Sequence, residues 1–383
     1  MKQFALIGQN INYSLSKDIF DYLSQKYNVE CNYQILNIEK ININNLSNYD
    51  GYNITTPYKS EIIKYLDALN PSAKYFESVN CVFNNIGYNF DIYGFVYTLK
   101  KLKINLNNIN KIVILGNGNM GKMIKKYFEY YKKDVIIVSR NNRDHTQING
   151  DILINASLIG HGKYENDIIL EEKYVKKFNY VIDLNYNPNI SYLLLFAKKN
   201  EIPNINGKYM LIYQALMAFN LWFNLSINIE QEVEEIKRFL NTKLKGNCLI
   251  GMPFAGKTTL IKKINGIDLD EYIMKKEQKT IKEIFNQYGE NYFRNLEYKY
   301  LKELIDNGVK NIALGGGIIN NFETLLLLKN YNIYYIDVPI NILLNRYKYD
   351  ENRTLLKEKK DLINLYKLRK NKYKFYQNIK PNI

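Results

Sequence analysis

The stretch Leu249–Ile250–Gly251–Met252–Pro253–Phe254–Ala255–Gly256–Lys257–Thr258 constrains this chain more than any other: a short apolar strand runs into a glycine-bracketed loop and then a helix. Gly251 and Gly256 let successive backbone N–H groups converge on phosphate oxygens. Lys257 reaches the outer phosphates, and the Thr258 hydroxyl can ligate Mg²⁺. A strand over Asn247–Ile250 and a helix over Thr259–Ile264 supply the strand–loop–helix setting that this pattern needs. ATP and Mg²⁺ are the implied ligands, with Gly251, Gly256, Lys257, Thr258 and Thr259 as candidate contacts.

At 383 residues the chain exceeds one ordinary domain, and its 46% apolar content suffices for two or three packed cores. The longest apolar runs, such as Tyr192–Ala197 and Leu325–Leu328, are soon broken by Lys or Asn, so no membrane span is expected. Met1–Gly8 reads as a first strand rather than a signal peptide, which predicts a soluble, cytoplasmic protein. The net charge of +15 would ordinarily suggest nucleic acid or an anionic membrane as partner. Lys, Asn, Ile and Tyr are abundant in every segment, however, so the charge reads as a diffusely basic surface compatible with anionic small-molecule substrates. Cys31, Cys81 and Cys248 form no CxxC pair and signal neither disulfides nor zinc. His145 and His161 have no metal spacing and read as surface or loop residues.

A second glycine-rich turn lies upstream. Lys111–Leu115 has a buried-strand pattern and runs into Gly116–Asn117–Gly118–Asn119–Met120–Gly121, a helix over Lys122–Tyr131 and a second strand over Asp134–Val138. This is the spacing of a dinucleotide-binding βαβ unit, with Gly116, Gly118 and Gly121 at the pyrophosphate. The second strand ends in Ser139–Arg140–Asn141–Asn142–Arg143 without an acidic residue to hold a ribose 2′-hydroxyl. Arg140, with Arg143, can instead pair with a 2′-phosphate, so NADP is expected over NAD. The next strand, Asp151–Ser157, ends in polar Asn155 and Ser157 ahead of Gly160, where the nicotinamide end would lie. Tyr180–Leu184 is another strand, followed by Asn185–Pro188. A long amphipathic helix begins at Gly207 and carries Phe219 and Trp222, with Gln214 as a polar interruption.

The first hundred residues hold four polar islands: Ser14 with Ser16, Asn53–Thr55–Pro57–Lys59, Val79–Asn80, and Asn89–Asp91–Gly94. In order and spacing they resemble the substrate domain of shikimate dehydrogenases, and the segments through Gln214 also resemble that family. The resemblance implies reduction of 3-dehydroshikimate to shikimate, with Lys59 and Asp91 as the acid/base pair. It also implies that Ser14, Ser16, Asn53, Thr55, Asn80, Tyr186 and Gln214 bind substrate. Gly207, Ser139, Arg140, Asn155 and Ser157 would face the cofactor.

Beyond the phosphate loop, Asp268 and Asp270 alternate at the end of a strand. Arg294 follows in Gly289–Glu297, and Ile312–Leu314 runs into Gly315–Gly316–Gly317. Together these are similar to shikimate kinase. That likeness implies that Asp270, Arg294, Arg369 and the Gly315–Gly317 backbone bind shikimate, that Asp268 and Thr258 serve Mg²⁺, and that Arg353 closes over ATP. Asp270 would orient or deprotonate the attacking hydroxyl, with Lys257 offsetting γ-phosphate charge. The fold class expected is α/β: a substrate-binding domain over 1–97, a Rossmann domain over 98–240 with closing helices, and a P-loop domain over 241–383 after a short linker at Asn241–Gly246. The reading is a bifunctional shikimate-pathway enzyme using NADP(H), ATP and Mg²⁺ on small-molecule substrates, with a homodimer as a permitted assembly. The alternative is a shikimate or quinate dehydrogenase whose C-terminal part is a catalytically weak, nucleotide-binding regulatory module.

Overall fold

Short apolar runs separated by helices form strands, and nearly all of them pair in parallel. A computed structural model describes residues 1–42, 46–139, 148–348, 356 and 358–377; Arg140, Arg143, His145 and Arg353 lie outside the described residues. Two compact units emerge, Met1–Leu194 with Pro203–Lys243, and Leu244–Ile383 with Leu195–Ile202.

The first unit holds two sheets. One begins with β1 (Lys2–Gly8), β2 (Cys31–Asn37) and β3 (Gly51–Ile54) and continues with β4 (Ala68–Leu69), β5 (Cys81–Phe83) and β6 (Ile86–Tyr88). Its order is β2-β1-β3-β5-β6-β4, with β1 parallel to both neighbours and β5 antiparallel to both of its own. The other contains β7 (Lys111–Leu115), β8 (Asp134–Val138), β9 (Ile152–Asn155), β10 (Tyr180–Asp183) and β11 (Asn204–Asn206), ordered β11-β10-β9-β7-β8 and parallel throughout. Ile112–Leu115 are buried at every position, as a strand covered on both faces must be. Ile112 and Ile114 pack with Phe95, Met123, Ile124 and Phe128 from the flanking helices.

The helix Lys208–Phe223 is buried on most of its circumference, not along one amphipathic stripe. It has helices on one side and the first sheet on the other, so a polar face would have had no water to meet. Trp222 stacks on Phe4 with ring centroids 4.4 Å apart, inside a cluster with Phe20, Tyr33 and Phe219. The next helix, Ile229–Thr242, is capped by Asn228, whose side chain accepts from the Gln231 N–H. Because it runs through Thr242 and the next strand starts at Gly246, only Lys243–Lys245 lie between the two. This is shorter than the expected linker Asn241–Gly246.

The second unit is built on β12 (Gly246–Ile250), β13 (Ile267–Asp268), β14 (Asn311–Ala313) and β15 (Tyr331–Tyr335), a parallel sheet ordered β13-β14-β12-β15. The phosphate loop leaves β12 and enters the helix Lys257–Lys263. Within it Phe254 adopts the left-handed conformation, φ 65°, where a side chain with Cβ costs about 1–2 kcal/mol. Its ring rests edge-on to Tyr347, centroids 5.5 Å apart. Phe254→Gly and Phe254→Ala both lose the ring, but only glycine relieves the backbone. The glycine variant is expected to unfold with about 1 kcal/mol more stability than the alanine variant. Calorimetry of the transition that ATP shifts measures this, and equal stabilities would contradict the strain.

Candidate active sites

A cleft of about 520 Å³ opens in the first unit, lined from the first sheet by Ser14, Ser16, Asn53, Thr55, Lys59, Asn80 and Asp91. From the second sheet and the closing helix come Gly116, Gly118, Ser157, Tyr186, Gly207 and Gln214. Lys59 occupies a turn ahead of the short 3₁₀ helix Glu61–Tyr65. Asp91 opens the helix Asp91–Lys101. Lys59 Nζ donates to Asp91 Oδ2 at 2.6 Å, and both residues are only 6% exposed. Each charge compensates the other in a place where either alone would be costly.

Behind this pair runs a chain of buried amides. Tyr33 Oη donates to Asn53 Oδ1 (2.8 Å), Asn53 Nδ2 to the Asn80 carbonyl (3.1 Å), and Asn80 Nδ2 to Gln214 Oε1 (3.1 Å). Asn80 Oδ1 accepts from the Phe90 N–H at 2.7 Å. The islands far apart in sequence thus hold one another at the cleft wall. Ser14 and Ser16 are joined by a 3.1 Å hydroxyl contact, and Ser16 is the first residue of the helix Ser16–Tyr27.

The opposite wall is the glycine-rich turn. The helix after it, Asn119–Tyr130, begins inside the motif, earlier than the expected Lys122. A Cβ on Gly121 would lie 2.1 Å from the Gly116 carbonyl oxygen, so only glycine lets this helix start so close to β7. Beside Gly118, by contrast, a Cβ would meet nothing within 4 Å, and that open backbone fits the approach of a pyrophosphate. Asn155 and Ser139 end β9 and the β8 segment; Arg140, the expected 2′-phosphate partner, is among the residues not described.

Asn155 lies behind the cleft in a second buried network. Its Nδ2 donates to Asp183 Oδ1 (3.0 Å) and to the Ile159 carbonyl (2.9 Å), and its Oδ1 accepts from the Ser157 hydroxyl (2.8 Å). Asp183 also accepts from the Asn185 N–H (3.0 Å) and the Ser191 hydroxyl. Burial pushes the Asp183 carboxyl up to about 7, against the hydrogen bonds from Ser191, Asn185 and Asn155. The folded protein therefore keeps a proton that the unfolded chain releases near pH 4, and stability falls as pH rises from there toward 7. Asp183→Asn keeps the shape, and the Ser191 hydroxyl can turn to accept. The fall in thermal midpoint between about pH 5 and pH 7 should be smaller in this variant. Fluorescence of Trp222, the only tryptophan, follows this unit, and identical slopes in the two proteins would refute the assignment.

In the second unit a cavity of about 600 Å³ is lined by Lys257, Thr258, Thr259, Asp268, Asp270, Gly316 and Arg346, among others. Lys257 Nζ donates to the carbonyls of Gly251 (2.9 Å) and Met252 (3.0 Å), folding over the loop it serves. Thr258 Oγ1 donates to Asp268 Oδ2 at 2.6 Å. The two aspartates do not alternate along a strand. Asp268 ends the two-residue β13 and caps the helix Leu269–Glu277, its Oδ1 accepting from the Asp270 N–H at 3.0 Å, and Asp270 lies in that helix's first turn. Capping, not pleat alternation, sets both side chains.

Arg294 and Arg369 converge on the Gly315–Gly317 segment. A Cβ on Gly317 would lie 2.4 Å from an Arg294 nitrogen, and one on Gly315 would lie 2.7 Å from Asp270 Oδ1. Arg369 donates to the Gly316 carbonyl at 2.9 Å, as does the Tyr373 hydroxyl at 2.5 Å. Arg294 is held by Glu297 (2.6 Å) and Glu290 (2.8 Å). Glu297 is fully buried, and burial pushes its carboxyl up to about 7 against the pull of Arg294. Sequence reasoning missed it, although its place one helical turn after Arg294 was a readable signal. It also missed Arg346 and the buried loop residue His161, expected at most as a surface or loop histidine. Among the described residues no group of three His, Cys, Asp or Glu could hold a metal ion. Mg²⁺ fits here through Thr258 and Asp268 together with nucleotide phosphates.

A parallel dinucleotide sheet facing a buried Lys–Asp pair defines a dehydrogenase cleft, and the strand–loop–helix with its caged arginines defines a P-loop kinase. Comparison with known proteins agrees with both. The shikimate dehydrogenase substrate binding domain model matches residues 6–82, and the shikimate kinase model matches residues 254–383. The NADP(+) shikimate dehydrogenase of Clostridium perfringens strain 13 is 30% identical over 269 residues, covering 62% of this chain and 99% of that protein. The Clostridium botulinum strain 657 protein of the same name is 35% identical over 248 residues, covering 57% and 95%. The chain belongs to the shikimate dehydrogenase family and carries a shikimate kinase domain C-terminal to it. Among solved structures, the chorismate mutase/shikimate 5-dehydrogenase fusion protein of Clostridium acetobutylicum superposes with TM-score 0.56 at 26% identity, over 62% of this chain and 97% of that one. Shikimate dehydrogenase 1 of Peptoclostridium difficile gives 0.56 at 28%, over 62% and 98%. Among the described residues no helix is long and apolar enough to cross a membrane.

Proposed function

We propose that this chain performs two consecutive reactions, NADPH-dependent reduction of 3-dehydroshikimate to shikimate and ATP-dependent phosphorylation of shikimate to shikimate 3-phosphate. The observation that carries the first is the buried Lys59–Asp91 pair in a cleft shared with the glycine-rich turn. Bound NADPH supplies a hydride from its nicotinamide C4, and bound Mg²⁺ offsets charge on the transferred phosphoryl group. When the substrate C3 carbonyl is reduced, its oxygen must gain a proton, and Lys59 Nζ–H is the group we assign to give it. Asp91 holds that ammonium in place. Asn53, Thr55, Asn80, Gln214, Ser14, Ser16 and Tyr186 orient the ring hydroxyls and carboxylate.

In the kinase half, Arg294 and Arg369 suit the substrate carboxylate by their planar forks. Asp270, at the Gly315 edge, accepts the proton of the attacking hydroxyl. Lys257 leaves its loop carbonyls to meet the γ-phosphate, and Thr258 with Asp268 holds the metal side. The substrates are small anions, so we read the diffuse positive charge as attraction for them rather than as a nucleic-acid surface, and the cytoplasm as the place of work. The test is product analysis from 3-dehydroshikimate, NADPH, ATP and Mg²⁺ mixed with the one purified chain. Shikimate 3-phosphate supports the reading. NADPH oxidation that stops at shikimate would reduce the C-terminal part to a nucleotide-binding module.

A further inference from the structure

His161 lines the dehydrogenase cleft from the loop that follows β9, and only 5% of it is exposed. Its ring Nδ1 lies within hydrogen-bond reach of the Asn187 carbonyl oxygen. A carbonyl can only accept, so Nδ1 carries the proton and Nε2 is left as a bare acceptor. Nε2 is buried and has no hydrogen-bond partner among the described residues. Burial also holds the imidazole below its ordinary value, with the Asn187 carbonyl and Glu165 acting against it, so the acceptor form persists at neutral pH.

An orphaned buried acceptor costs stability and is uncommon in a folded protein unless something satisfies it. The ring is locked on its other sides. Tyr13 stands edge-on to it with centroids 4.0 Å apart, and the Asn187 tie joins it to the loop that presents Tyr186. The position in the sheet narrows the missing donor. His161 lies beyond the carboxyl end of β9, which pairs with β7, the strand that leads into the glycine-rich turn. In an open parallel sheet the dinucleotide lies across these strand ends. The polar groups assigned to the substrate come mainly from the other sheet. At the nicotinamide end, the donor a dinucleotide offers is the N–H of its carboxamide.

We infer that His161 Nε2 accepts a hydrogen bond from the carboxamide N–H of the nicotinamide, fixing the face and rotation of the ring that gives up the hydride. The inference rests on the dehydrogenase reading of the same cleft. His161 is a binding and positioning residue here and takes no part in proton transfer.

The 3-acetylpyridine analogue of NADP⁺ replaces the carboxamide by an acetyl group and so lacks the N–H donors. Calorimetric affinities for NADP⁺ and for this analogue are to be compared in the wild-type chain, in His161→Asn and in His161→Gln. Asparagine can keep the donation to the Asn187 carbonyl but has nothing at Nε2, whereas the longer glutamine can place an oxygen there. Wild type should favour NADP⁺ over the analogue by about 3–10-fold, the worth of one ordinary hydrogen bond. The asparagine variant should lose that preference and the glutamine variant recover part of it. A preference unchanged in His161→Asn, or a variant that weakens shikimate instead of NADP⁺, would overturn the inference while leaving the dehydrogenase reading standing. Absence of NADP⁺ binding to wild type would overturn both.

Discussion

Lys59→Met lowers shikimate-dependent NADPH formation by about 10²–10⁴-fold, the range a positioned proton donor commands, and leaves ADP formation from ATP and shikimate at the wild-type rate. The expectation follows from the 2.6 Å contact between Lys59 and Asp91 in a wall where each is 6% exposed. Methionine keeps the length of the side chain but strands Asp91, and removing one member of a buried pair can cost about 3–5 kcal/mol. The double variant Lys59→Met/Asp91→Leu separates the two effects. Replacing both charges should restore much of the stability of the first unit, because a buried pair and an apolar pair of similar volume are often equivalent. It should restore none of the turnover. If activity returned with stability, Lys59 would be a structural residue and the proton would come from elsewhere.

Lys257→Ala is expected to reduce phosphoryl transfer by about 10²–10³-fold, the cost of deleting one preorganised charge partner, with dehydrogenase turnover unaffected. Its ammonium now bonds the carbonyls of Gly251 and Met252, contacts it must exchange for phosphate oxygens. Gly251 and Met252 are buried, so alanine also removes a donor from two carbonyls, and the stability of the second unit is measured alongside the rate to separate the two losses. The measurement is ADP release with saturating shikimate and Mg²⁺. A variant within a factor of about 3 of wild type would show that Lys257 does not meet the transferred phosphate.

The parts of the fold that were legible in sequence share a physical cause. Ile112–Leu115 of β7 and Cys248–Ile250 of β12 are buried at every position, so these stretches read as unbroken apolar runs, and each empties into a glycine turn, the first with its spacing dictated by the close contact between Gly121 and the Gly116 carbonyl. The positions that misled were set by groups outside their own window. Asp268 and Asp270 alternate in sequence, yet β13 is two residues long, and helix capping decides where they point. Lys208–Phe223, expected as an amphipathic helix, is apolar on nearly every face and is wrapped on most sides. Composition and spacing alone said little of Lys59 and Asp91, which stand 32 positions apart; the family resemblance linked them. His161 showed no pattern because its partners, Asn187 and Tyr13, come from two different loops.

The most direct test of the central claim is one preparation assayed twice, for shikimate-dependent reduction of NADP⁺ and for shikimate-dependent ADP formation from ATP and Mg²⁺, in the wild-type chain, Lys59→Met and Lys257→Ala. Two activities, the first abolished only by the Lys59 change and the second only by the Lys257 change, are what two independent sites on one chain require. Loss of both activities with either substitution, or no ADP formation in the wild-type chain, would contradict it.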